Sequence, residues 1–205
     1  MYPYNPFKGQ KIQNHAGVDT DHEFLAHYLI SKPAAVDADG IVDGAATTTG
    51  VEAEPLVITT FLAQPDVARN ITVTVAATTA GDVAAGNIVV AGTDLSGAAI
   101  SENFAITADT PATVTGNLAF KSVTSITVPV QDGASVTVDA GWGKKFGLPY
   151  KLPTNALVLL KLFDGSTDSG TVTASVSSLA ANVLALNGTP DGAKNIDLHI
   201  IAPLI

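Results

Sequence analysis

Arg69-Asn70-Ile71-Thr72-Val73-Thr74-Val75 is the stretch that decides the fold class. Ile71, Val73 and Val75 fall on one face of an extended chain and Thr72 and Thr74 on the other, because successive side chains alternate sides in a strand. Working outward, similar runs recur at Leu56–Leu62, Asn87–Ala91, Ile100–Ile106 and Val123–Val128. They continue at Val136–Ala140, Leu157–Leu162, Thr171–Val176 and Ile196–Ile201. Asp132-Gly133, Asp164-Gly165, Asn187-Gly188 and Asp191-Gly192 punctuate the chain with dipeptides that accept positive φ at low cost. A parallel α/β fold needs crossover helices, and the intervals here leave no room for them. The pattern predicts a mainly β chain, with an antiparallel β-sandwich or barrel-like domain over residues 51–205.

Residues 1–50 are different text. They hold three of the four histidines and six of the 19 acidic residues. Met1-Tyr2-Pro3-Tyr4-Asn5-Pro6-Phe7 mixes prolines and aromatics without a period, which predicts an extended N-terminal arm that orders against another surface. Within the arm, Thr20-Asp21-His22-Glu23 matches a capping box, and Phe24, Leu25, Tyr28 and Leu29 share a face at helical spacing. Pro33 ends that pattern. A short amphipathic helix over residues 21–30 is expected. Further on, Ala174–Leu186 admits two readings, strand–turn–strand or a short helix.

Of the 205 residues, 46% are hydrophobic and only 14% charged, where soluble domains average about 25% charged. Ala, Thr, Val, Gly and Ser take the place of the charges. This text lacks the Glu, Lys and Leu heptads of a coiled coil. A mean hydropathy of +0.32 gives it too much apolar surface for a disordered chain. A net charge of −9 with only 10 Lys and Arg leaves no basic stripe to displace phosphate counterions, so no nucleic-acid partner is expected. The absence of cysteine excludes disulfides, thiolate nucleophiles and Cys-ligated metal centres. The N-terminus lacks a signal-like apolar run and the longest apolar runs are strand-sized. No membrane partner is expected, and synthesis in the cytoplasm is.

Motifs that carry chemistry are few. His22 and His27 flank a glutamate, as in zinc-protease helices, but those need histidines four apart; five apart on a helix they diverge by about 140°. No spacing specifies a mixed site of His15, Asp19 and His22. Asp37–Gly44 puts Ile41 where a calcium loop needs an acceptor and its glycine at position four rather than six, so two Asp-Gly turns account for it. Asp164–Gly170 reads as a hairpin loop. No Ser occupies a G-x-S-x-G elbow and no Gly-rich stretch carries a Walker lysine. The sequence predicts no enzyme, no cofactor and no metal centre. Gly141-Trp142-Gly143-Lys144-Lys145-Phe146-Gly147 is its most unusual segment, with the only Trp and a Lys pair among three glycines. It admits two readings: a bulged strand with Trp142 packed at a sandwich end, or a subunit contact built on Trp142, Lys144, Lys145 and Phe146. Tyr2, Tyr4 and Phe7 are the candidate contact anchors in the arm.

Several pieces occur in order: Gln64-Pro65-Asp66-Val67-Ala68-Arg69-Asn70-Ile71-Thr72-Val73, Gly92-Thr93-Asp94, Glu102-Asn103-Phe104, Ala119-Phe120-Lys121-Ser122-Val123 and Gly141–Pro149. Together the series resembles small virion structural proteins of tailed bacteriophages, from the head-assembly gene region. The resemblance spans residues 56–150, with weaker likeness at Asp191-Gly192 and the last strand. Ala68 stands where those proteins often carry Pro. The resemblance implies a non-enzymatic capsid decoration protein that cements the outside of the head shell. Its partners would be the major capsid protein of the same phage and its own copies, as a homotrimer, and its place the exterior of the virion. The readings kept beside it are another virion part (tail tube, head–tail connector or fibre-associated protein) and a carbohydrate- or surface-binding β-sandwich.

Overall fold

Strands make up 54% of the chain and helix 3%. The computed structural model describes residues 12–13, 19–20, 24–50 and 53–202. In chain order the strands open with β1 (Ile12–Gln13), β2 (Asp19–Thr20), β3 (Phe24–Ile30), β4 (Asp37–Ala46), β5 (Leu56–Ile58) and β6 (Arg69–Ala77). Next come β7 (Gly86–Thr93), β8 (Ala99–Ile106), β9 (Ala112–Phe120), β10 (Ser122–Val128) and β11 (Val136–Gly147). The last are β12 (Val158–Phe163), β13 (Ser166–Thr167), β14 (Thr171–Thr173), β15 (Val183–Ala185) and β16 (Ile196–Ala202). All pair antiparallel, and one sheet curls into a half-barrel. Every run read as a strand from its alternation becomes one, some shorter than expected, because Val, Ile and Thr suit a pleated, half-buried surface.

β11 organises the molecule. β6 pairs with it along one edge from Val136 to Phe146, while the other edge is shared between β4, on Thr137–Trp142, and β15, on Lys145–Gly147. With β9 beside β6 and β14 beside β15 this is a six-stranded sheet. Two four-stranded sheets, ordered β5-β10-β7-β8 and β13-β12-β16-β3, accompany it. Two cores result. In the first, Ile71, Val73, Val75, Val136 and Val138 pack with Ile88, Val90, Phe104 and Ile126. In the second, Phe146, Leu184 and Leu186 pack with Ile30, Leu152, Ile196, Leu198 and Ile200. Trp142 belongs to the first and Phe146 to the second, so one strand serves both. Each large apolar side chain buried this way contributes about 1.5–3 kcal/mol.

The expected helix over residues 21–30 is corrected to strand β3. β16 offers it a full-length edge, from Phe24 opposite Ala202 to Ile30 opposite Ile196. The residues also satisfy period two: Ile30 is buried and Tyr28 packs on the second core, while Leu25, His27 and Leu29 face out. Pairing across the sheet overrides the local capping signal. Thr20 itself lies in β2. The division into a 1–50 arm and a 51–205 domain is corrected with it. β3 and β4 are woven into the sheets and bury Ile30, Ile41 and Val42.

Four local readings resolve. Asp37–Gly44 is not a pair of turns; it runs in β4, where Asp43 and Gly44 bulge out of register and Gly44 takes φ +59. Asp164 and Gly165 adopt φ 52 and 75 in a two-residue hairpin between β12 and β13, the positive-φ pair such turns demand. Ala174–Leu186 contains strand β15 joined to β14 by an irregular turn. Gly141–Gly147 is a bulged strand: three residues of β11, Gly143 to Lys145, oppose Asn70 alone on β6. A Cβ on Gly141 would collide with the backbone of Asp37 and Ala38, so glycine lets β4 lie directly against β11.

Candidate interaction surface

The bulge in β11 is held by side chains from β6. Arg69, fully buried, donates from Nε to the Gly143 carbonyl at 2.8 Å and from Nη1 to the Ala34 carbonyl at 3.0 Å and Asp66 Oδ1 at 3.1 Å. Its guanidinium lies 4.8 Å from the centre of the Phe146 ring, a cation–π contact. Burial lowers its pKa, and Asp66 opposes that shift without cancelling it. Asn70, also fully buried, accepts from the Lys145 amide at 2.9 Å and donates to the Gly116 carbonyl at 3.3 Å. On β8, in the β5-β10-β7-β8 sheet, Glu102 accepts from the amides of Asn117 at 2.6 Å and Leu118 at 3.2 Å. Gln64 brackets Val123, accepting from its amide at 2.7 Å and donating to its carbonyl at 3.0 Å. Residues of the ordered series thus brace strand irregularities, with Arg69 Nε and Nη1, Asn70, Gln64 and Glu102 engaged inside the chain, while Arg69 Nη2 and Thr72 Oγ1 are buried without a hydrogen-bond partner.

Two buried residues outside that series do the same. Asn182 accepts from the amides of Leu152 and Ser175, both at 2.9 Å, and donates to the carbonyls of Ser175 at 2.8 Å and Ser178 at 2.7 Å. Asp168 accepts from the amides of Gly170 at 2.7 Å, Asn187 at 3.0 Å and Gly188 at 2.8 Å. Burial pushes its carboxyl pKa up, but those amides and Lys161 outweigh it and the net shift is downward. On β4, Asp39 is shifted upward, chiefly by its hydrogen bond with Asp37, then by burial and the neighbouring charges of Asp37 and Asp43.

The contact residues expected from sequence separate. Trp142 is 7% exposed and donates from Nε1 to the Ala35 carbonyl at 3.0 Å. Phe146 is fully buried beneath Arg69. Both are therefore corrected from contact anchors to core residues, because β4 closes over the first and the β14–β15 side of the molecule encloses the second. Lys144 is exposed and donates to the Asn187 carbonyl at 3.0 Å. Lys145 reaches the Gly116 carbonyl at 2.9 Å and Asn117 Oδ1 at 2.7 Å. Tyr2, Tyr4 and Phe7 lie outside the described residues, as do His15 and His22.

A different surface emerges on the β13-β12-β16-β3 sheet. Its inner face belongs to the second core. On its outer face Leu25 is 60% and Leu29 48% exposed, and Leu159, at a register shift in β12, is 57% exposed. The strand register adds Leu160 opposite His199 and Leu162 opposite Asp197. Amid these leucines, His27 Nε2 lies 2.6 Å and His199 Nε2 3.8 Å from Asp197 Oδ1, with the two imidazoles edge-on at 5.4 Å. Among the described residues this is the group of three side chains placed to hold a metal ion. The sequence carried one signal for it: in a strand, Asp197 and His199 share the outward face. His27 joined them only through the pairing of β3, which the helical reading hid. An open groove of about 510 Å³ lies between Asp94–Ile100, Pro149–Lys151 and Ser177–Leu179. Asp94 there is engaged with the Ser96 and Ala98 amides and the Ser96 hydroxyl. Among the described residues no helix is long and apolar enough to cross a membrane. No family model matches the chain, and no curated protein or solved structure does either.

Proposed function

We propose that this protein is a capsid decoration protein of a tailed bacteriophage, gripping the head shell through the outward face of β3, β16 and β12. The observation that carries the reading is the exposed row of Leu25, Leu29 and Leu159 on a sheet whose opposite face is core. Soluble proteins scatter exposed apolar residues singly, and a cluster spanning several strands marks a contact surface. By its resemblance to phage head proteins, the ordered sequence series points to the major capsid protein as partner and to a homotrimer on the virion exterior as the assembly. The buried polar groups support a mechanical role, since Arg69, Asn70, Asp168 and Asn182 brace backbone rather than face a cleft. A net charge of −9 suits the outside of a DNA-filled shell better than its interior. Residues 1–23, which lead into β3, bring Tyr2, Tyr4 and Phe7 as further contacts. Burial of Trp142 and Phe146 leaves Tyr150, at the open groove, as the one of the three aromatics that a carbohydrate-binding reading could still use.

Image reconstruction of intact particles tests the reading. About one copy per shell subunit on the outer surface supports it; a few copies at a single vertex refute it in favour of a tail or connector part. The double change Leu25→Lys with Leu29→Lys is expected to abolish binding to undecorated heads while leaving the free chain folded. Full binding by that variant would remove this face from the contact.

A further inference from the structure

We propose that His27, Asp197 and His199 form a zinc site that staples β3 to β16, a property that goes beyond the decoration reading and needs no particle. Two imidazoles and one carboxylate with an open fourth position are a donor set zinc takes readily. The backbone sets the donors in advance. His27 and His199 are directly opposite in adjacent strands, and Asp197 is two residues along β16 on the same face. The ligating atoms all lie within 4.8 Å of one another. Zinc bonds of about 2.0–2.1 Å in tetrahedral arrangement would space them roughly 3.3 Å apart. His27 and Asp197, now at 2.6 Å, must part slightly, and His199, now 3.8 Å from Asp197, must close slightly. These side chains are 58%, 31% and 38% exposed, so they have room to turn and the ion a path to enter.

The consequence is mechanical. Among the described residues β3 is an edge strand, paired with β16 alone. A metal held by His27 on β3 and by Asp197 and His199 on β16 ties that edge to residues about 170 positions away in sequence. Binding to the folded chain alone shifts the equilibrium toward it by mass action. Leu25 and Leu29, next but one to His27 on either side along β3, border the three donors with exposed apolar surface.

The test uses the full chain, stripped of metal by dialysis against chelator. Titration calorimetry with zinc is expected to show saturable uptake of one ion per chain in the micromolar range. Cobalt(II) is expected to give the visible absorption of a four-coordinate site, displaced by zinc. His27→Ala, His199→Ala and Asp197→Asn should each weaken zinc binding by roughly tenfold or more, since losing a direct ligand costs at least as much as losing an outer partner. His15→Ala and His22→Ala should bind as the parent does. Zinc should also slow amide exchange across residues 24–30. Circular dichroism of the metal-free variants checks that these exposed changes leave the fold intact. Absence of saturable uptake overturns the site, as does loss of binding on changing His15 or His22. Uptake without any slowing of exchange in β3 overturns the staple.

Discussion

Phe146→Leu separates the two meanings that an aromatic residue in a glycine-rich strand can have. As a contact anchor, Phe146 would matter only in an assembly; buried as it is, it must matter in the isolated chain. Its ring is fully buried among Leu148, Leu152, Leu184 and Leu186, with the Arg69 guanidinium 4.8 Å above its centre. Leucine retains most of the apolar volume, so the packing loss is about 1–1.5 kcal/mol. The cation–π contact is desolvated, since Arg69 is fully buried too, and adds about 2 kcal/mol. The expected total is about 3 kcal/mol. In urea, with an m-value of about 2–3 kcal/mol/M, the midpoint should fall by about 1–1.5 M with the slope unchanged. A double-mutant cycle with Arg69→Met should return a coupling energy of about 2 kcal/mol. A loss below about 0.5 kcal/mol in the monomeric chain would refute the core assignment and return Phe146 to an interface with another subunit.

Asn182→Ala strips four backbone partners at once and should cost about 3–4 kcal/mol by denaturant midpoint; near-neutrality would mean that water replaces the amide. Because the Asp168 carboxyl is held below its ordinary value of 3.8, its contribution is present above that pH and is lost as pH falls through the depressed folded value. Asp168→Asn should therefore be the less stable protein at neutral pH and lose less on acidification, as followed by thermal unfolding across the acid range. Gly141→Ala drives a Cβ into the Asp37 and Ala38 backbone; it should cost roughly 3 kcal/mol or more, with amide exchange accelerated first across residues 37–42.

The alternation Ile71, Val73, Val75, the β-branched runs and the Asp-Gly pairs determined by themselves that this is an antiparallel β protein, and they located many of its strands. Each such signal is local: period two is written in neighbouring residues, and Asp164-Gly165, with both residues at positive φ, carries its own turn, whereas the Asp-Gly pairs within Asp37–Gly44 are drawn into β4. The bulge at Gly143–Lys145 is one of two readings the glycine-rich text allows, since glycine with no Cβ marks a close approach or a sharp turn without saying what lies against it. What the sequence misassigned is what depends on distant partners. Residues 24–30 fit a helical face about as well as a strand, and only the free edge of β16, far along the chain, decided between them. That one decision also fixed the surface. On a helix Leu25 and Leu29 join the core-facing stripe and His22 and His27 diverge; on a strand Leu25 and Leu29 turn outward and His27 meets Asp197 and His199. Trp142 and Phe146 show the converse, since composition marks them as unusual but cannot say whether β4 and the second core or another subunit covers them. Tertiary structure decides such matters because burial is a property of what lies across the sheet, and sequence distance does not encode it.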